Sequence, residues 1–374
     1  MPMIQEKAEV SQEMAASNAA HKLAKRIKRV LFIILFVLIA VTVSISAARL
    51  YNGHKYADLV TKAAPAYYAD PVNLALYPRD ISGVTVTEIN HGAAQGFHLR
   101  PTASKNPGVV VVYGGSEGTP GYENAVKYAE NGYEVLSLFM FGRPNQPSTL
   151  TKIPLEQFDD VLSYLREIGA DTGSLTVVGA SKGAEYALNL AVKYPQIAHL
   201  ILISPSAYIF NGLDFKNYGS SWTWRGAELP YVDVKQGSFS DYIGDVLFPM
   251  LTKAPVTYKN VYASAVANDP EIARKAIAVA DTSADILILA GEDDCMWGSS
   301  AMAKEIHNAR PEGTTVQIYP DAGHILSGGP YIQAGNMLIC VGGTKAGNSE
   351  AADKSAALIL NTLHKWHQVK ERIS

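Results

Sequence analysis

The stretch "LTVVGASKGAEYALNLAVKYP", residues 175–195, decides how the rest of this sequence is interpreted. Its G-A-S-K-G segment fits the pattern G-x-S-x-G, which is a weak signal alone because Gly and Ser are common residues. The context is more specific, since an apolar strand precedes the pattern and a helix ended by proline follows it. A strand–turn–helix of this kind holds Ser181 in a strained conformation, and Gly179 and Gly183 leave room at the turn. We therefore expect Ser181 to be a nucleophile and not only a small turn residue.

The composition is that of a globular protein with an uneven distribution of charge. Of 374 residues, 48% are hydrophobic and 18% are charged, and the formal net charge is −3. This balance argues against a general nucleic-acid-binding protein. Residues 1–29 contain six Lys or Arg and three Glu, so their net charge is +3 and that of the remainder is −6. The net positive charge is thus confined to the N-terminal tail.

Residues 30–48, "VLFIILFVLIAVTVSISAA", contain no charged side chain. A helix of this length spans about 28 Å, close to the hydrocarbon thickness of a bilayer, and it lacks the polar face of an ordinary core helix. Five Lys or Arg between residues 22 and 29 predict a cytoplasmic tail over 1–29, one transmembrane helix over 30–48, and an extracytoplasmic remainder. Cleavage after the small residues 46–48, as in a signal peptide, would instead give a secreted protein.

The region after the apolar segment divides into a connector and a large domain. Residues 49–83 are interrupted by prolines and are expected to form a juxtamembrane connector, while the polar residues 1–21 are expected to be disordered. Residues 84–370 begin with two strands of an antiparallel pair and continue with alternating strands and helices. This order predicts an α/β fold, in which helices cover both faces of a mainly parallel sheet. A long insert over 207–283 lies where a cap would overhang the site.

A serine nucleophile needs a base, and the base needs a carboxylate that orients it. Of the nine histidines, only His324 in "YPDAGHI" lies in the loop directly after the last predicted strand, whereas His364 and His367 lie on the last predicted helix. Asp293 and Asp294 end the preceding strand in "ADILILAGEDD". Adjacent side chains point in different directions, so only one of the two can face His324. The sequence therefore predicts a catalytic triad of Ser181, His324 and one of these acids.

A tetrahedral intermediate needs two backbone donors for its oxyanion. One is expected to be the N–H of Lys182, directly after the nucleophile. The other is expected in "YGGSEG", at Gly115, with Ser116 as the alternative. The side chains of Glu117 and Lys182 are interpreted as solvated charges at the rim of the site.

The predicted insert is rich in aromatic residues. Trp222 and Trp224 are candidates for an acyl-binding pocket, and the alternative is that they form the core of the cap itself. The two cysteines, Cys295 and Cys340, make no zinc-binding spacing, so neither a metal nor another cofactor is expected. They are expected to be free thiols in the cytosol, whereas a single disulfide becomes possible outside it.

Several ordered blocks together resemble a known family. "GASKGAE", "LAGEDDCMWGS", "YPDAGH" and "GGTKAGNSEAADKSAALIL" are similar to the C-terminal catalytic domain of acyl-CoA thioesterases and bile acid-CoA:amino acid N-acyltransferases, over roughly residues 84–368. The resemblance implies the α/β-hydrolase fold and a triad of Ser181, Asp294 and His324. It departs from the family in two ways. About sixty residues before "PGVVVVYGG" leave no room for the usual immunoglobulin-like domain, and acyl-CoA is scarce outside the cytoplasm.

These observations lead to one main functional hypothesis. The chain is expected to be a membrane-anchored serine hydrolase that cleaves an acyl thioester or ester through an acyl-Ser181 intermediate. An acyltransferase that passes the acyl group to an amine or alcohol is an alternative, as is a peptidase. A non-catalytic membrane binding module is a further alternative, against which the intact Ser, Asp and His argue.

Overall fold

The computed structural model describes residues 2–60, 64–103 and 106–368, so the predicted end of the domain at residue 370 lies outside the described residues. The chain divides into two compact units. One contains residues 1–57 with 250–254, and the other contains the remainder.

The first unit consists mainly of helix α1, Pro2–Lys55. Its Val10–Lys55 portion is long and apolar enough to cross a membrane, with a mean hydropathy of 3.0 in an 18-residue window of which nothing is buried. A signal sequence near the N-terminus would meet the same criteria of length and apolar composition. The expectation of a disordered tail over 1–21 is wrong, because no Pro or Gly interrupts the chain between Pro2 and Gly53 and Ala, Glu and Lys favour the helix. Within this unit the Asn52 amide donates to the Thr252 carbonyl at 2.9 Å.

The second unit is built on an eight-stranded sheet. Its strands are β1 (Val84–His91), β2 (Ala94–Pro101), β3 (Val109–Tyr113), β4 (Glu134–Leu138), β5 (Leu175–Ala180), β6 (His199–Ile203), β7 (Asp285–Gly291) and β8 (Thr314–Tyr319). The spatial order is β1-β2-β4-β3-β5-β6-β7-β8. Strand β2 pairs antiparallel with β1 and β4, and all other pairs are parallel. The mainly parallel sheet and the antiparallel N-terminal pair are thus confirmed.

Helices cover both faces of this sheet, as predicted. They are α2 (Tyr122–Glu130), α3 (Gln157–Glu167), α4 (Lys182–Lys193), α8 (Ser299–Ala309) and α9 (Lys345–Trp366). Successive residues of a buried strand point to opposite faces, and accordingly Val111 packs in the core under α3, α4 and α8, whereas Val112 packs in the core under α2 and α9. The unit therefore has the α/β-hydrolase arrangement that the resemblance implied.

The first turn of the last helix is capped by a side chain. Helix α9 begins at Lys345, where the Thr344 hydroxyl accepts the Gly347 N–H at 2.9 Å. A threonine in this position satisfies one of the free N–H groups of the first helical turn.

The segment between β6 and β7 contains the predicted insert. It holds two short strands, Trp222–Trp224 and Ala227–Glu228, which form a small sheet with Ile153–Pro154. Its helical elements are α5 (Phe239–Asp241), a π-helix (Tyr242–Leu247), α6 (Phe248–Thr252) and α7 (Lys259–Ala267), with 3₁₀ turns at Val234–Gln236, Ile272–Arg274 and Val279–Asp281.

A buried ion pair joins this segment to α4. Lys182 Nζ lies 2.9 Å from Glu185 Oε2 and 2.8 Å from the Ser221 hydroxyl. The other oxygen of Glu185 accepts the Phe210 N–H at 3.1 Å and the Trp222 indole N–H at 2.9 Å. Burial lowers the pKa of Lys182 and raises that of Glu185, and their mutual attraction opposes both shifts. The interpretation of the Lys182 side chain as a solvated rim charge is therefore wrong, because residues of the insert enclose it.

The two cysteines meet beside the segment that directly follows Asp294. Cys340 ends a hairpin formed by Tyr331–Ala334 and Met337–Cys340, and its side chain is hydrogen-bonded to that of Cys295. This contact lowers the pKa of Cys295 and raises that of Cys340. Both are free thiols in this structure. The structure thus contains the two free thiols that were one expectation, and not the disulfide that was the other.

Replacement of Glu185 by Ala is expected to lower the free energy of unfolding by about 3–5 kcal/mol. The change leaves Lys182 buried without its counter-ion and removes the acceptor of the Trp222 indole N–H. Chemical denaturation of the full-length chain in detergent measures the effect.

The matched control is Glu271→Ala, which breaks the exposed Glu271–Arg274 pair and is expected to change the free energy of unfolding by less than about 1 kcal/mol. Equal effects of the two variants would contradict the structural role of the buried pair.

Candidate active site

The turn between β5 and α4 fits together only without side chains at two positions. A Cβ at Gly179 would lie 2.1 Å from the Gly183 carbonyl oxygen, and a Cβ at Gly183 would lie 1.9 Å from the Gly114 carbonyl oxygen. Ser181, between them, has φ 55° and ψ −119°, which is a strained conformation for a residue with a side chain. Its N–H donates to the Ile203 carbonyl at 2.8 Å. The packing thus fixes the serine at the tip of the turn.

His324 reaches Ser181 from the loop after β8. Its Nε2 lies 2.8 Å from the Ser181 hydroxyl oxygen, and its Nδ1 lies 2.8 Å from Asp294 Oδ2. A carboxylate can only accept, so Nδ1 carries the proton and Nε2 is free to accept from the serine. Hydrogen bonds therefore join the three residues that the resemblance singled out.

The neighbouring acids have different surroundings. Asp294 is 1% exposed, and its second oxygen accepts the N–H groups of Met296 at 2.8 Å and Trp297 at 3.2 Å. These bonds fix the orientation of the carboxylate. Asp293 is exposed. Only Asp294 contacts the imidazole.

The backbone of the histidine loop is held on both sides. The His324 N–H donates to the Val341 carbonyl at 2.7 Å, and the Ser204 hydroxyl donates to the His324 carbonyl at 2.5 Å. Asn348, in the first turn of α9, accepts the Gly323 N–H at 2.8 Å. The imidazole is thus positioned by three separate elements.

Sequence reasoning missed several neighbours of the site. The Trp297 ring packs edge-on against the His324 ring, with centroids 5.5 Å apart, and its indole N–H donates to the Ser204 carbonyl at 3.1 Å. Phe210 lies 5.9 Å from Trp297, centroid to centroid. Trp297 is three residues after Asp294, and this short separation could have indicated from the sequence that it lies beside the site. Nothing local marked Phe210, which comes from the insert.

The two candidate oxyanion donors differ in what they contact. The N–H of Lys182 lies in the first turn of α4, where backbone N–H groups lack partners within the helix. The Gly115 N–H, in contrast, donates to Glu117 Oε1 at 2.9 Å. Ser116 and Glu117 are exposed. Of the two N–H groups, that of Gly115 is thus occupied by a carboxylate in this structure.

The tryptophans proposed for an acyl pocket pack against α4. Trp222 is 0% exposed and packs on Tyr186, with centroids 4.9 Å apart. Trp224 lies edge-on against Tyr194, after the end of α4, and Lys193 is about 18 Å from Ser181 along the helix axis. These contacts place both side chains beside α4, and the acyl pocket stays a prediction for this pair.

Across the described ranges, no group of three or more His, Cys, Asp or Glu side chains is arranged to hold a metal ion. A serine hydroxyl bonded to a neutral imidazole, itself oriented by a buried carboxylate, can lose its proton to the imidazole as it attacks an electrophilic carbon.

Comparisons with known proteins found relatives by sequence and similar solved structures. Acyl-coenzyme A thioesterase 1 of Homo sapiens is 26% identical over 257 residues, covering 65% of this chain and 55% of the relative. Bile acid-CoA:amino acid N-acyltransferase of Mus musculus is 24% identical over 302 residues, covering 77% of this chain and 64% of the relative. The chain thus spans about half the length of the first of these relatives. Among solved structures, a hormone-sensitive lipase from a metagenome library has a TM-score of 0.47 at 14% identity, covering 87% of this chain and 97% of that one.

A family model described as BAAT / Acyl-CoA thioester hydrolase C terminal matches residues 153–365. The matched range includes Ser181, Asp294 and His324 and begins after the loop of Gly115. The match covers more than half of this chain, which therefore belongs to the BAAT / acyl-CoA thioester hydrolase C-terminal family.

Proposed function

We propose that the chain is a membrane-anchored serine hydrolase that cleaves an acyl thioester or ester through an acyl-Ser181 intermediate. The observation that carries the proposal is the continuous hydrogen-bonded chain from Ser181 through His324 to Asp294. The family and its relatives named as acyl-CoA thioesterases support the substrate class.

The mechanism follows from the positions of these groups. The Ser181 hydroxyl attacks the acyl carbonyl carbon while His324 Nε2 takes its proton, and Asp294 stabilises the resulting imidazolium. The Lys182 N–H and a second donor in the loop after β3 bind the oxyanion. His324 then protonates the departing thiol or alcohol. Water, activated by the same imidazole, hydrolyses the acyl-enzyme and regenerates the serine.

An acyltransferase would share every step up to the acyl-enzyme. The mouse relative named as an N-acyltransferase favours testing an amine acceptor beside water. A hydrolase releases the free acid at the same rate with or without glycine, whereas an acyltransferase converts the acyl group into an amide when glycine is present.

The proposed organisation assigns the tail over 1–29 to the cytoplasm, the membrane span to 30–48, the connector to 49–83 and the hydrolase domain to the region from residue 84. The 207–283 insert acts as its cap. The exposed apolar window of α1 supports the span, and the Lys and Arg residues before it support the orientation.

Replacement of Ser181 by Ala is expected to lower kcat for an activated acyl ester by at least about 10³-fold, because the nucleophile is lost while the fold remains. A fluorophosphonate probe is expected to label the parent chain and not this variant. Ser349→Ala, which changes an exposed serine on α9, serves as the control and keeps its turnover. Near-parental activity of the Ser181 variant would exclude the assignment.

The two neighbouring acids give a second prediction. Asp294→Asn is expected to reduce kcat by roughly 10⁴-fold, because the amide cannot hold the imidazole in the required tautomer with the same charge. Asp293→Asn is expected to stay within a few-fold of the parent, since Asp293 is exposed. Steady-state kinetics on both variants measures this difference, and the reverse ranking would show that the acid is misassigned.

The orientation is tested with a reporter fused after residue 374. An alkaline phosphatase reporter, which folds only outside the cytoplasm, is expected to be active, and a cytoplasmic fluorescent reporter is expected to be dark. Replacing the five Lys and Arg between 22 and 29 by Gln is expected to reduce this asymmetry. The opposite pattern for the parent chain would place the domain in the cytoplasm, where acyl-CoA is abundant.

A further inference from the structure

The loop after β3 carries a carboxylate on one of the two candidate oxyanion donors. Glu117 Oε1 accepts the Gly115 N–H at 2.9 Å and the Thr119 hydroxyl at 2.7 Å. A Cβ at Gly114 would lie 2.7 Å from the same oxygen, so the absence of a side chain there makes room for the carboxylate. The Glu117 side chain is thus folded back over the two glycines.

This carboxylate is close to the proposed nucleophile. A Cβ at Gly115 would lie 2.6 Å from Glu117 Oε2 and 3.3 Å from Ser181 Cβ. The carboxylate oxygen and the serine Cβ are therefore no more than about 6 Å apart. An acyl group bound to Ser181 and to the Gly115 N–H would have this side chain as a neighbour.

The charge of Glu117 is not neutralised by an ion pair. In the described part of the chain, no Lys, Arg or His forms a salt bridge with it. Its field reaches the phenols packed nearby: after burial and Glu123, it is a further cause of the raised pKa of Tyr68, and it contributes to the raised pKa of Tyr77. The charge of Glu117 therefore acts on neighbouring groups without a salt-bridge partner among the described residues.

We propose that Glu117 is a specificity-determining residue, which holds the Gly115 N–H in the free enzyme and disfavours anionic substrates relative to cationic ones. The proposal rests on the proposed function, in which the substrate carbonyl oxygen takes the place of Glu117 Oε1 on the Gly115 N–H. Displacement moves the carboxylate only as far as its side chain allows, because its backbone is two residues from Gly115. Its charge then remains beside the group attached to the acyl carbon.

The size of the effect follows from Coulomb's law. A unit charge about 6 Å from a carboxylate changes an equilibrium by roughly threefold in water and by roughly a hundredfold at the effective dielectric of a protein surface. Glu117 is exposed, so an effect near the lower figure, about threefold, is expected for each unit of substrate charge, which makes about tenfold between a cationic and an anionic substrate.

The experiment compares three thioesters with the same butyryl group on the full-length enzyme in detergent. S-butyrylthiocholine is cationic, its 3,3-dimethylbutyl isostere is neutral, and S-butyryl 3-mercaptopropionate is anionic. Release of thiol gives kcat/KM for each. Glu117→Gln removes the charge and keeps an oxygen that accepts the Gly115 N–H, and Glu117→Ala removes both. Glu123→Gln, an exposed acid on α2 that also affects Tyr68, is the matched control.

Glu117→Gln and Glu117→Ala are expected to lower the cationic-to-anionic ratio of kcat/KM by about tenfold, with the neutral isostere between the two and Glu123→Gln within twofold of the parent. A ratio unchanged in both Glu117 variants, or an equal change in Glu123→Gln, would overturn the proposal. Ser181→Ala measured in parallel separates the two levels of inference. Turnover that persists in that variant refutes the proposed function, whereas serine-dependent turnover with an unchanged ratio refutes only the role of Glu117.

Discussion

The site depends on the close approach of three backbone segments at the turn between β5 and α4. Gly179 and Gly183 pack against each other's backbone, and Gly183 packs against the carbonyl of Gly114, at distances that no Cβ would permit. The same contact raises Ser181 above the sheet, begins α4 directly behind it and brings the loop of Gly115 alongside. Ser181, the proposed nucleophile, and both candidate oxyanion donors are therefore positioned by one steric constraint, and not by three independent ones.

Buried polar contacts of α4 hold the insert against the turn between β5 and α4. The carboxylate of Glu185, one turn into α4, binds Lys182 on its own helix and the backbone and indole of the insert. Lys182, whose N–H is a candidate oxyanion donor, thus anchors the insert through its side chain. This arrangement couples the folding of the insert to the geometry of the turn, because a buried charge without its partner is strongly unfavourable.

The sequence by itself determined the elements that depend on local chemistry. The Val-rich β3, the apolar β5, the glycines at 179 and 183 and the proline after α4 each have a conformational preference that holds without knowledge of their neighbours. The order of Ser181, the acidic pair and His324 along an alternating α/β pattern was also sufficient to propose a triad, since the carboxyl ends of parallel strands meet at one edge of the sheet. The length of the apolar segment over 30–48 could also be counted from the sequence, because it depends only on the order of the residues.

Only the tertiary structure decided the partners of side chains whose neighbours are distant in sequence. From the residues alone, the two acids at 293 and 294 were equivalent, and the family resemblance favoured the second. The choice follows from which of them is buried under the loop of His324. A lysine is usually exposed, yet residues of the insert enclose the Lys182 side chain. Trp222 is buried, and its indole N–H donates to Glu185. Glu117 is two residues from Gly115, but its distance from Ser181 depends on the packing of β3 beside β5. Burial and contacts between residues distant in sequence arise only when the chain folds, so the local pattern of residues does not predict them.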